Sequence, residues 1–412
     1  MGSPTYLPAK NKSIQNSIWT RIAFGVLIAA LCGAMVFAVH RLLAENTLGI
    51  DLFVFWNSGR ALFLEGSSPY DPEITRQVQM AIFGRMALPG EDPMLFAFPP
   101  YGLLAVLPLL PLPFDWAQAV WFIFYLMLAA SLLYLLFPQA PRWVTLTLSL
   151  LYPLTFALFL GNFVFLIGMI LLLAGGLLVL RQERAPGWQV VIGLLLAWTT
   201  IKPQFTWLDL AFLAAYTLRY RLWTLAGSFA VSLGGMLALS WLLLPGWLPQ
   251  WLQQVRAYAE GNQVQSIAAS YFDIFLPAAQ SGTAAGALMV LALAVTSWMG
   301  WYWWQGKLGH LHVLAWVGLV TNLFDPRAIS YEQITLAIPF FLWAATREKG
   351  AQALKIAWPA AIVLLWVFFV IAVRDAYPLA TEQAPIAIYT VWLVWYYRNT
   401  RRVSTGREVW DV

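Results

Sequence analysis

The sequence predicts an all-α polytopic membrane protein, and three observations lead there. Of the 412 residues 61% are hydrophobic and only 10% charged, so most of the exterior faces something other than water. Many apolar runs approach or exceed the ~20 residues that cross roughly 30 Å of hydrocarbon as a helix. No soluble domain of any size remains between those runs, so residues 1–412 read as one integral membrane domain.

In chain order the predicted spans are 22–43, 115–137, 143–160, 161–181, 187–201, 204–218, 222–244, 284–305, 311–324, 330–346, 353–373 and 385–398, twelve in all. The first is too long for a cleavable signal and lacks a small-residue cleavage site, so it reads as a retained anchor. The single cysteine, Cys32, lies inside it and has no partner for an internal disulfide. Lys and Arg collect on the cytoplasmic side of membrane proteins. Lys10, Lys12 and Arg21 therefore place the N-terminus inside. Arg181 with Arg184, Arg219 with Arg221, Lys307, Arg347 with Lys349 and Lys355, and Arg398 with Arg401 and Arg402 mark five further inside positions. The basic residues are scattered between apolar runs rather than gathered in a stripe, which argues against nucleic acid as a partner.

On this map 44–93 is an external loop holding seven of the nineteen carboxylates: Glu45, Asp51, Glu65, Asp71, Glu73, Glu91 and Asp92. If 51–65 is helical, Asp51, Ser58 and Glu65 form a polar stripe opposite Phe53, Trp56 and Phe63, as in a helix lying at the membrane interface. Asp71 before Pro72 and Glu73 is the pattern of a helix N-cap, and Glu91 and Asp92 read as solvated loop charges. The segment 94–110, apolar but short and proline-broken, reads as a half-inserted or re-entrant helix. Irregular backbone at membrane depth is tolerated only beside protein or a water-filled cavity, so it should border one. A second external stretch, 245–283, has amphipathic and polar character suited to covering a site.

The order of several motifs resembles a known family. An Asp soon after the first span is followed by "GSSPYDP", "FAFPPYGLLAVLPLLPLPFDWAQAVW", "LFLGNFVFLIGMILLLA" and "GWQVVIGLLLAWTTIKPQFTWL", with a weaker return at "NLFDPRAISYEQITLAIPF". From about Asp51 to Leu208 this resembles the family 87 glycosyltransferases, membrane enzymes of the GT-C fold class that use polyprenyl-phosphate sugars, typically mannose. One departure is Gly161-Asn162-Phe163-Val164, where that family usually carries Gly-Gln-x-Asn. The resemblance implies an inverting mannosyltransferase of the plasma membrane, its site on the outer face, taking a polyprenyl-phosphate sugar donor and a glycolipid or glycan acceptor without a cofactor. Asp51 takes the place of the family's catalytic aspartate. Arg60, Glu65, Tyr70, Tyr101, Asn162, Gln204, Tyr331 and Glu332 fall in the matching motifs as substrate contacts.

The chemistry also stands on its own residues. A lipid-phosphate donor needs no nucleotide loop, and this chain has none. A carboxylate near the membrane surface can accept the proton of an acceptor hydroxyl. Charge developing on the leaving phosphate calls for a cation, and Lys202, a lone lysine between two spans beside Pro203, is the first candidate. Arg327, beside Pro326, is the second; it is equally placed to pair with Asp325. His40, His310 and His312 lack ligand-like spacing on the outer side, so no metal site is expected. The alternative class is a lipid or solute transporter or flippase, against which stand the absence of an internal repeat and the stacking of acids in one loop.

Overall fold

The computed structural model describes residues 11–43, 48–136, 150–261, 266–325, 330–345, 348–374 and 380–400. Glu45, Arg327, Arg347, the start of the 143–160 span, Lys10 and the charged residues beyond 400 lie outside them. Every regular element among the described residues is helical. Gly25–Leu43, Phe114–Leu136, Trp223–Leu243 and Gln280–Trp304 are each long and apolar enough to cross a membrane, which makes the chain a membrane protein.

The helices are α1 Asn11–Leu43, α2 Ile50–Phe63, α3 Pro72–Phe83, α4 Phe114–Leu136, α5 Tyr152–Leu160 and α6 Val164–Ala174, which Gly175–Leu180 continues as a π-helix. There follow α7 Pro186–Trp198, α8 Pro203–Tyr220, α9 Trp223–Leu243, α10 Trp247–Gly261, α11 Ile267–Phe272 and α12 Ala278–Trp304. The last four are α13 His310–Phe324, α14 Ile334–Ala345, α15 Glu348–Val373 and α16 Ala380–Thr400. Asp71 caps α3 as the sequence predicts, its Oδ1 accepting the Glu73 amide at 2.8 Å ahead of Pro72. Residues Pro100–Leu109 form a 3-10 helix, tied through the backbone at a proline-rich turn.

Helix α6 is apolar on every face and is accordingly the central element, packed by α4, α5, α7 and α14 with nearly every side chain buried. Helices α7 and α9 approach so closely that a Cβ at Gly193 would lie 2.6 Å from the Leu225 carbonyl oxygen. Only glycine allows that contact, the small-residue packing available where no hydrophobic drive separates helix from lipid. Helix α2 does not lie on the surface with a polar stripe outward. The 3-10 segment and α4 cover it, and Ser58, expected on the polar face, is 1% exposed. Glu65 lies beyond the end of α2, exposed.

Four elements, α6, α7, α8 and α13, run between the same two ends of the bundle. One end carries Arg181, Arg184, Arg219 and His310; the other carries Asn162, Lys202 and Asp325. At 1.5 Å per residue the 18 residues of α8 span about 27 Å, whereas α6 with its continuation, α7 and α13 are shorter. A cavity lies at the second end.

Candidate functional site

That cavity, of about 390 Å³, brings together side chains from distant parts of the chain, among them Asp51, Asn162, Lys202, Gln204, Tyr331 and Glu332. Each is there for a local reason. Helix α5 ends at Gly161, whose φ of +67° places it in the left-handed region. The amide of Asn162 bonds to Ala157 O at 3.0 Å and that of Gly161 to Leu158 O at 3.1 Å, a Schellman termination. Asn162 then works in two directions. Its Oδ1 accepts the Val164 amide at 2.9 Å, starting α6, and its Nδ2 donates to Asp51 Oδ2 at 2.8 Å. The turn's carbonyls accept from α4, Trp121 Nε1 on Gly161 O and Tyr125 OH on Asn162 O. Asn162 thus supplies an amide that holds the aspartate.

Asp51 stands in the first turn of α2, half-buried, where the helix dipole favours a carboxylate. A Cβ at Gly161 would fall 2.7 Å from the Cβ of Leu52, the residue after Asp51. Gly161→Ala is therefore expected to cost roughly 1–3 kcal/mol through its positive φ and that clash. A lowered thermal midpoint in detergent is the measurable result.

Lys202 occupies the break between a 3-10 turn, Thr199–Ile201, and α8. A residue preceding proline is driven out of the α region, so the helix stops at Lys202 and restarts with Pro203 in its first turn. Tyr101 fixes this break by hydrogen-bonding through its OH with the carbonyl and hydroxyl of Thr200, both at 3.0 Å. The Lys202 side chain is 8% exposed and its Nζ lies 2.5 Å from Glu332 Oε1, with the rings of Phe98 and Tyr331 within 6 Å. The lysine is thus a buried, paired cation, and Glu332, read from sequence as a substrate contact, is its counter-ion. Among the described residues, Glu332 Oε2 is buried without a hydrogen-bond partner.

Helix α10 closes one side of the cavity. Trp251 Nε1 donates to Ala97 O at 3.1 Å, Gln254 Nε2 to Tyr70 O at 2.8 Å, and the Tyr258 OH to Asp92 Oδ2 at 3.1 Å. Of the described residues of the 245–283 stretch, α10 alone lines the cavity, through Trp251, Leu252, Val255, Tyr258 and Ala259, and Met94, Leu95, Ala97 and Phe98 of the proline-broken segment form part of its wall.

Several sequence-predicted residues lie elsewhere. Arg60 donates to Leu110 O at 2.9 Å and sits over the Trp56 ring, a structural role. Glu65 is exposed and outside the cavity. Tyr70 stands one layer out, its OH donating to Phe98 O at 2.7 Å, and burial raises its phenol well above the usual range. Tyr101 supports the Lys202 turn from behind. Arg327 lies outside the described residues, so its place relative to the cavity is not among the observations.

Of the two charges read as solvated, only Glu91 is one. Arg85 grips both its oxygens at 2.7 Å and, chiefly through those hydrogen bonds, holds its pKa down at about 2. Asp92 instead enters the cavity wall, and so does the buried Asp325. Sequence reading missed both as cavity residues; the signal they share is an Asp-Pro step at the end of a loop or helix. Among the described residues no group of three or more His, Cys, Asp or Glu side chains is arranged to hold a metal ion.

What the arrangement can do is accept a proton at one point and hold negative charge at another. No family model, no curated protein and no solved structure matches the chain.

Proposed function

We propose that the protein is an inverting membrane glycosyltransferase of the GT-C class. It transfers a sugar, mannose as the resemblance of its motifs implies, from a polyprenyl-phosphate donor to a glycolipid or glycan acceptor. The observation that carries this reading is the joint presence of Asp51 and Lys202 on one cavity roofed by an amphipathic helix. Asp51, held by Asn162, is the base for the acceptor hydroxyl. Lys202 neutralises the phosphate as the anomeric C–O bond breaks. Tyr331, Phe98, Trp251 and Tyr258 supply rings against which a sugar stacks, and Gln204 adds an exposed amide at the cavity wall. The polypeptide crosses the plasma membrane twelve times with both termini inside and the cavity outside. In support, the arginine-bearing end of α6, α7 and α8 lies opposite the cavity end.

Purified protein incubated with polyprenyl-phosphate mannose and candidate glycolipid acceptors should release polyprenyl phosphate in an acceptor-dependent way. GDP-mannose should give no transfer. Robust transfer from the nucleotide sugar without a lipid-linked donor would overturn both the donor class and the role of Lys202.

Orientation has its own test. In a Cys32→Ser background, Ser67→Cys should react with an impermeant maleimide added outside intact cells, and Gly187→Cys should not. Both sites have some solvent access, Gly187 being exposed and Ser67 intermediate, so burial alone does not explain a difference. Labelling of Gly187→Cys in place of Ser67→Cys would reverse the orientation.

A further inference from the structure

The opposite end of the bundle carries a second hollow, about 410 Å³, between α8, α12 and α13. Small residues make it: Ala211 and Ala215 on α8, and Gly300 on α12, where an added Cβ would meet open space. Phe212 and Trp303 line it with aromatic surface. The two hydroxyls on its wall are turned back to their own helix, Thr296 Oγ1 on Ala292 O at 2.7 Å and Ser297 Oγ on Leu293 O at 2.9 Å. The hollow therefore offers hydrocarbon-like contacts and little that would suit a polar ligand.

Its mouth is different. The face of α8 that supplies Ala211 and Ala215 continues, one turn on, to Arg219. That guanidinium lies over the Trp303 ring at 4.7 Å and donates Nη1 to the Trp303 carbonyl, leaving its other N–H groups without a protein acceptor among the described residues. Arg184 and Arg219 both sit over the Tyr220 ring, at 4.5 and 5.5 Å from its centre, and Arg221 and Lys307 are in the adjoining turns. Among the described residues none of these four cations pairs with a carboxylate. Trp301 and Trp304 flank the hollow, 61% and 47% exposed, in the manner of rings at a membrane interface. Clustered, unneutralised cations beside an apolar hollow and interfacial tryptophans specify both halves of one ligand.

We propose that this end of the bundle binds one anionic phospholipid, an acyl chain in the hollow and the phosphate at Arg219, with the remaining cations supplying the field that favours net negative charge. The inference is independent of the activity at the far end. Delipidated protein in neutral detergent, titrated with dioleoyl phosphatidylglycerol and followed by native mass spectrometry, should retain one lipid per chain. Dioleoyl phosphatidylcholine should bind at least about fivefold more weakly. Glycerol 3-phosphate, a headgroup without chains, should neither bind nor displace the lipid.

Gly300→Leu fills the hollow on a helix that leucine favours and should abolish retention with no loss of thermal stability. Arg219→Gln should remove about fivefold of the preference for phosphatidylglycerol, and Arg219→Lys should keep it. Equal retention of both lipids, unchanged retention in Gly300→Leu, or loss of the preference in Arg219→Lys as well as Arg219→Gln would each overturn the assignment. Tight binding of glycerol 3-phosphate alone would overturn it too, by showing a free-phosphate site.

Discussion

Asp51→Asn is expected to lower turnover by at least roughly a hundredfold while leaving expression and thermal unfolding near wild type. The reason lies in what the substitution keeps. Asn162 Nδ2 donates to Asp51 Oδ2 at 2.8 Å, and an asparagine oxygen at the same place accepts the same bond. The helix start at Gly49, which makes no side-chain cap, does not depend on Asp51. What is lost is the negative charge and, with it, the capacity to take a proton. Steady-state rates with a saturating polyprenyl-phosphate sugar, read beside the melting midpoint, separate the two effects. Near-normal turnover would move the base to another carboxylate of the cavity. Glu65, the alternative suggested by the sequence, is excluded by its exposed position beyond α2, so Asp325 and Asp92 would be next. Asn162→Ala supplies a graded companion: it frees the carboxylate without neutralising it, and its loss should be smaller than that of Asp51→Asn.

Much of this architecture was legible because a membrane helix advertises itself in a continuous apolar run. The span expected at 204–218 is α8, Pro203–Tyr220, and that expected at 222–244 is α9, Trp223–Leu243. Local chemistry was legible too. Lys202 stood out as a lone cation beside a proline, and Asn162 as an amide after a glycine, because each marks a break in an apolar pattern. What stayed hidden was pairing across the chain. Glu332 lies 130 positions from Lys202 in sequence, and nothing local reveals that the two meet. Tyr70, Tyr101 and Arg60 are expected at the ligand only because they fall in the motifs that carry the family resemblance. Each instead satisfies a backbone carbonyl, the commoner fate of a buried donor. Asp92 was missed for the converse reason: a loop aspartate looks solvated until a helix 166 residues on supplies Tyr258.

The Lys202–Glu332 pair shapes the second large effect. If Lys202 holds the departing phosphate, its charge matters more as the sugar leaves than when donor first binds, so Lys202→Met should depress the chemical step as well as donor affinity. Loss of one charge-assisted contact in a poorly hydrated site corresponds to about 2–4 kcal/mol in the transition state, or about thirtyfold to a thousandfold in rate. The single variant also strands Glu332, 3% exposed, as a buried charge, and breaking such a pair is destabilising by about 3–5 kcal/mol. A fall in activity from Lys202→Met alone would therefore confuse chemistry with unfolding. Lys202→Met/Glu332→Gln removes both charges and should recover most of the melting midpoint while turnover stays low. Single-turnover measurements with saturating donor are the deciding readout. Recovery of the chemical rate along with stability would mean that Lys202 serves only to hold Glu332, and the phosphate would need another partner.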